Sequence, residues 1–262
     1  MIYGNTQSLF YELFYELILN PKLELINDVR RVSKCLFLNT LKNVFASNLD
    51  VTAIERCLII SPHPDDETFG CGNLIASLCK EGKTVKVLFL SKGERSCCIE
   101  ANKLKHERLK LAENANRMLG CKNVEFLDWP DGGFLANENN ELLCGGLLKK
   151  IMEYNPSAIF YPHCYDNTED HRAVCRIMKK MMQHSVVKQF MYCVWLWDDT
   201  PWKELMKLRS VNALVLKSEN NYKSNAVDYY VNSSIDGVRL SGNLPVLFTK
   251  MIKQKNELYF RL

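Results

Sequence analysis

From residue 57 onward, short apolar runs alternate with amphipathic stretches. Cys57–Ser61 and Thr84–Leu90 are nearly continuous apolar runs, as strands covered on both faces should be. Val124–Leu127 and Ala158–Tyr161 are two more strand candidates. Between them the pattern predicts helices over residues 71–82, ending at Gly82, over about 100–119, stopping at Gly120, and over about 141–154, broken by Pro156. Strand, helix, strand, helix in regular order predicts an α/β protein with a Rossmann-like, doubly wound, mostly parallel sheet. Further on, Phe190–Trp197 and Val211–Leu216 are expected as strands and 219–231 as a helix, while the last twenty residues fit no single pattern.

The first fifty residues have a different character. Leu9, Phe10, Leu13, Phe14, Leu17 and Ile18 recur on one helical face before Pro21, which predicts an N-terminal helical extension over residues 1–50 ahead of a catalytic domain over 51–262. That stripe is expected to pack on the domain or to form a homo-oligomer contact. Glu12 and Glu16 argue against an anionic membrane surface, and no apolar run is long enough for a transmembrane segment. The same acidic residues and the lack of a basic leader make a secretory signal unexpected and a cytoplasmic location the expectation.

Composition adds modest constraints. The net charge of +4 is spread along the chain, which favours anionic small substrates weakly and leaves no footprint for nucleic acid. Eleven cysteines are an odd number without recurring CxxC pairs, so most are expected reduced, with Cys97 and Cys98 the more exposed ones.

The chemistry concentrates after the first and fourth strands. Ser61-Pro62-His63-Pro64-Asp65-Asp66-Glu67 follows the first, and Pro162-His163-Cys164-Tyr165-Asp166-Asn167-Thr168-Glu169-Asp170-His171 follows the fourth. With the common strand order 3-2-1-4, the switch point lies between strands one and four, so both segments face one crevice. A lone histidine is usually a core or surface residue, and an Asp-Asp pair before a helix is often only a cap. The chain has five histidines, however, and three of them (63, 163 and 171) fall on these two segments. A hydrolytic zinc site needs three protein ligands and an open fourth position. His63 and Asp66, three apart on a turn, can converge on one ion, with His171 completing the set from across the crevice and Asp65 left free as a base.

The motifs carry a resemblance. His63-Pro64-Asp65-Asp66-Glu67 with Phe69-Gly70-Cys71-Gly72 resembles the signature of the PIG-L or LmbE-like zinc-dependent N-acetyl sugar deacetylases. Ser91-Lys92-Gly93-Glu94, Arg108, Trp129-Pro130-Asp131-Gly132, Asp170-His171-Arg172 and Lys223–Ala226 extend the similarity over roughly residues 55–235. The resemblance implies His63, Asp66 and His171 as Zn2+ ligands, Asp65 as the base, and hydrolysis of an N-acetylated sugar or sugar conjugate to acetate and an amino sugar. Arg108 is expected to hold substrate by forked hydrogen bonds, His163 and Asp170 are further substrate-binding candidates, and Asp131 and Glu94 are expected to stabilise loops. Thr168 stands where many members have a histidine, and Leu111 where an acidic residue is common. Two rivals remain: a catalytically weak sugar-binding or scaffold protein, and an Fe(II) oxygenase using two histidines and one carboxylate.

Overall fold

The computed structural model describes residues 25–198 and 200–262, so the apolar stripe at 9–18 lies outside the described residues. The first described helix, α1 (Leu25–Thr40), runs into a π-helical turn and a short strand, β1 (Ser47–Asn48). The alternating section follows as β2 (Arg56–Ser61), α2 (Asp66–Lys80), β3 (Thr84–Phe89), α3 (Ala101–Met118), β4 (Val124–Phe126), α4 (Glu141–Tyr154), β5 (Ala158–Pro162), α5 (Glu169–Met181) and β6 (Lys188–Tyr192). The rest comprises α6 (Trp202–Leu205), β7 (Ala213–Leu216), α7 (Lys223–Asn232), a hairpin of β8 (Ser234–Ile235) and β9 (Val238–Arg239), α8 (Val246–Ile252) and β10 (Glu257–Arg261).

Eight strands form one sheet in the order β1-β7-β10-β6-β5-β2-β3-β4, parallel except for β10, which is antiparallel to both neighbours. The chain winds outward from β2 to β3 and β4, then returns to lay β5 and β6 on the other side of β2. The expected switch point therefore falls between β2 and β5. Along β2 the side chains alternate between two cores: Cys57 and Ile59 join α2, α3 and α7, while Leu58 and Ile60 join α1, α4 and α5. Burial on both faces explains why these strands are continuously apolar.

The later strands depart from expectation. The run from Phe190 extends only to Tyr192, because Asp166 accepts the Val194 and Trp195 N–H groups and turns the chain into a 3-10 helix at Trp195–Trp197. The ambiguous C-terminus resolves into α8 and β10, and β10 fills the gap between β6 and β7. In the described part of the N-terminal segment, Leu38 is buried, Lys34 Nζ donates to the Asp198 carbonyl at 3.0 Å, and β1 pairs with β7. No helix among the described residues is long and apolar enough to cross a membrane.

Candidate metal centre

The crevice at the switch point is built from the turn after β2 and the segment from β5 to the first turn of α5. Ser61 shapes the turn by donating its hydroxyl to the His63 carbonyl at 2.7 Å. The helix α2 then starts at Asp66, so the acidic motif forms its first turn. Asp65, just before it, has φ 129°, a conformation that costs a non-glycine residue about 1–3 kcal/mol. Strain of that size is held by surrounding contacts: the Asp65 N–H donates to Glu67 Oε2 at 3.0 Å, and Arg108 Nη2 donates to Asp65 Oδ2 at 3.1 Å.

Three donor atoms converge beside this turn. Asp66 Oδ2 lies 3.1 Å from His63 Nδ1 and 3.0 Å from His171 Nε2, and the two imidazole centroids are 5.7 Å apart. Zinc bonds of ~2.1 Å in tetrahedral array place ligand atoms roughly 3.4 Å from each other, so this spacing suits one small cation. The outer ring nitrogens face carboxylates. His63 Nε2 is 3.0 Å from Asp170 Oδ2 and 3.2 Å from Asp131 Oδ1, while His171 Nδ1 is 3.3 Å from Asp166 Oδ2, close enough for charge pairing but out of line for a hydrogen bond. Carboxylates in that position fix the ring orientation and raise ligand basicity.

His63, Asp131 and Asp170 also approach one another closely enough to consider as a second donor set. Asp170 is already committed there, since Oδ2 accepts the Gly132 N–H at 2.8 Å and Oδ1 the Phe134 N–H at 3.0 Å. The set containing Asp66 is the better fit.

Electrostatics point the same way. Burial disfavours charge on both imidazoles, yet Asp131, Asp170 and Asp66 push His63 well above its ordinary value, and Asp66 and Asp166 push His171 up to about 9. Burial likewise opposes ionisation of Asp66, but the two imidazoles outweigh it and hold the carboxyl below the usual range. A pocket that draws protons onto two buried imidazoles is built for positive charge. Two acids of the same turn go the other way: burial pushes Asp65 up to about 6 against the pull of Arg108, and Glu67 up to about 7.

The other expected site residues are distributed unevenly. Arg108 is 2% exposed and borders the crevice; Nη1 donates to the Leu240 carbonyl and Nη2 to Asp65 and the Pro64 carbonyl, so it braces the turn, while Nε is buried without a partner among the described residues. Gly93 lets it pass, because a Cβ there would sit 2.2 Å from Arg108 Nε. His163 is buried, accepts the Tyr165 N–H at 3.1 Å and lines a separate cavity with Lys179 and Phe260; the structure does not bring it to the crevice. Asp170 reaches the site through His63 instead of lining the crevice. Asp131 does stabilise a loop, accepting the Arg95 N–H at 2.8 Å, in addition to facing His63. Asp166 had no assigned role in the sequence reading, although it stands in the segment already singled out.

The crevice, about 330 Å³, is lined by His63, Asp65, Asp66, Thr168 and, on its outer side, Trp195 and Ser241. Comparison with known families matches residues 58–182, from β2 through α5, to the family described as GlcNAc-PI de-N-acetylase, PIG-L. That similarity to the PIG-L family covers a little under half of the chain. A probable N-acetyl-alpha-D-glucosaminyl L-malate deacetylase 2 of Bacillus cereus is 29% identical over 139 residues, 48% of this chain and 62% of that relative. The match therefore spans less than two thirds of that relative's length. Among solved structures, an N,N'-diacetylchitobiose deacetylase from Pyrococcus horikoshii aligns with TM-score 0.57 at 18% identity, covering 77% of this chain and 79% of its own. A 4-carboxy-2-hydroxymuconate hydratase from Pseudomonas putida KT2440 aligns with TM-score 0.52 at 18% identity, covering 67% and 78%. At such identities the likeness shows the fold alone, and the hydratase illustrates that this PIG-L-type scaffold does not by itself dictate amide hydrolysis.

Proposed function

We propose that this protein is a zinc-dependent N-deacetylase that hydrolyses the acetamide of an N-acetylated sugar or sugar conjugate. The observation that carries the reading is the convergence of His63 Nδ1, Asp66 Oδ2 and His171 Nε2 beside the strained Asp65 at the edge of an open crevice. The donor set fits zinc in kind and in spacing, with two imidazoles and a carboxylate leaving a fourth position for the crevice side. When bound, such an ion would polarise the acetamide carbonyl and acidify water.

The chain's own residues supply the proton handling. Asp65 takes a proton from water as its oxygen attacks the acetamide carbon, and its elevated affinity for protons, set by burial, suits it to return that proton to the departing nitrogen. The C–N bond breaks, giving acetate and the amino sugar. Arg108 fixes the Asp65 carboxylate through Nη2, and the Asp65 N–H bond to Glu67 prevents the turn from relaxing. Asp170 and Asp131 orient His63, and Asp166 orients His171.

The test is acetate release from a panel of N-acetyl sugars and their conjugates by the zinc-loaded protein, with metal content measured in parallel. Acetate production lost on chelation and restored by zinc is expected. A zinc-loaded protein that releases no acetate from any of them would reject the deacetylase reading and favour a sugar-binding protein, while iron as the bound metal together with no acetate release would favour oxygenase chemistry.

A further inference from the structure

The outer wall of the crevice lies beyond the residues matched to the family and has no part in the proton handling. It comes from two places: the 3-10 turn after β6, which carries Trp195, and the loop after β9, which carries Ser241. Trp195 stacks on Phe248 with ring centroids 4.2 Å apart and planes 11° from parallel, so one face is covered and the indole is held flat at the crevice. Its N–H backbone group is fixed by Asp166, the same carboxylate that faces His171. The platform and the candidate metal ligand therefore share one anchor.

Ser241 presents the complementary group. Its hydroxyl is buried and has no hydrogen-bond partner among the described residues, and the residue borders the crevice. The neighbouring Leu240 carbonyl is held by Arg108 Nη1 at 2.6 Å and by Ser96 Oγ at 2.7 Å, so the loop is fastened beside the crevice that Ser241 lines. A buried polar atom without a partner needs an explanation, and a polar ligand in the crevice provides one. A flat aromatic surface beside a lone hydroxyl matches a pyranose, which offers an apolar C–H face and a rim of hydroxyls.

We infer that Trp195 and Ser241 form a saccharide subsite, on which the sugar ring rests while its acetamide reaches Asp65. This rests on the deacetylase reading for the direction of the acetamide, but the ring contacts stand on the wall itself. Such a wall favours the closed pyranose ring over compounds without a ring face, such as N-acetylated amino acids.

The experiment measures binding apart from turnover, by ligand-observed NMR titration of the full-length protein with N-acetylglucosamine and with N-acetylalanine. Wild type is expected to prefer the sugar. Trp195→Ala should weaken sugar binding about tenfold and Trp195→Phe much less, since stacking is the interaction removed. Ser241→Ala should weaken it about threefold; because the hydroxyl has no partner among the described residues, its removal breaks nothing there and any loss must come through the ligand. This variant decides the matter if Trp195→Ala does not fold. Sugar affinity unchanged in Ser241→Ala and Trp195→Phe, together with either no loss in Trp195→Ala or no preference over N-acetylalanine, overturns the subsite. Acetate release by such a protein would leave the deacetylase reading intact. Conversely, sugar binding lost in the variants of a protein that releases no acetate would keep the subsite and reject the reaction.

Discussion

Replacing Asp65 with asparagine removes one charge and changes the shape of the side chain very little. The amide oxygen can still accept from Arg108 Nη2, now 3.1 Å from Oδ2, and asparagine tolerates positive φ better than most residues, which matters at φ 129°. Arg108 keeps a hydrogen-bond acceptor but loses its buried ionic partner, a loss of about 1–3 kcal/mol, so the melting temperature should fall by about 2–12 °C. His63, Asp66 and His171 are untouched, and zinc content should stay at the wild-type level. The rate should not. Without a proton acceptor, kcat/KM for an N-acetyl sugar is expected to drop ~10²–10⁴-fold, equivalent to about 3–5 kcal/mol of transition-state stabilisation. The assay pairs elemental analysis with acetate release on the same purified sample. An Asp65→Asn protein that hydrolyses the acetamide at the wild-type rate would show that the proton goes elsewhere, and one that loses its zinc would move Asp65 into the ligand set.

Further consequences can be measured separately. Asp166→Ala removes the carboxylate facing His171 without touching a ligand atom, so zinc affinity should fall ~10–100-fold; unchanged affinity in a competition titration would make Asp166 a loop anchor only. The buried Lys223–Glu257 pair packs on α2, with Lys223 Nζ donating to the Phe69 carbonyl at 3.0 Å and Glu257 accepting the Asn73 and Leu74 N–H groups at 2.9 Å. Lys223→Met should cost about 3–5 kcal/mol by leaving a carboxylate unpaired, and a loss below about 1 kcal/mol in denaturant unfolding would contradict that account. Lys42, pushed from 10.5 down to about 7 by burial and by Lys223, binds fewer protons folded than unfolded between those pH values. Its charge therefore burdens the fold fully below pH 7 and less as pH rises to 10.5, and the stability of Lys42→Met relative to wild type should decline over that window; a flat difference would refute the burial.

The alternating section and the chemistry at its strand ends were legible because both rest on local pattern. Continuous apolar strands, glycine helix stops and two His/Asp-rich segments each need only a short window. Helix α2 shows where such windows mislead. Its expected start was residue 71, yet the helix begins at Asp66 and runs through Gly70 and Gly72, where a Cβ would meet the Tyr192 ring at 2.3 Å and the Lys223 side chain at 2.5 Å. Those glycines serve packing between distant elements. His163 misled in the opposite way, standing within the motif-bearing segment while packing against Phe260, with ring centroids 4.7 Å apart, on a strand that had no assignment. The bracing role of Arg108 was not legible, because its contact with Leu240 spans 132 residues. The same distance in sequence hid the wall formed by Trp195 and Ser241.

Thr168 is the departure that bears most directly on rate. It precedes α5 at the capping position, yet its side chain makes no capping hydrogen bond, and Oγ1 is buried without a partner. Loss of a working cap costs ~1 kcal/mol, so a replacement here should cost less than that. Thr168 also borders the crevice on the segment facing the Asp65 turn, which leaves open space for a larger side chain. Thr168→His would place an imidazole where it can donate to the developing oxyanion or to the departing nitrogen, tasks that otherwise fall on Asp65. Activity on an N-acetyl sugar should rise, with stability within about 1 kcal/mol of wild type and zinc content unchanged. The gain should show in kcat more than in KM, because the added hydrogen bond strengthens only as charge develops. A stable, zinc-loaded Thr168→His protein with unchanged or lower kcat would mean that the reaction in this crevice does not wait on proton delivery at that position.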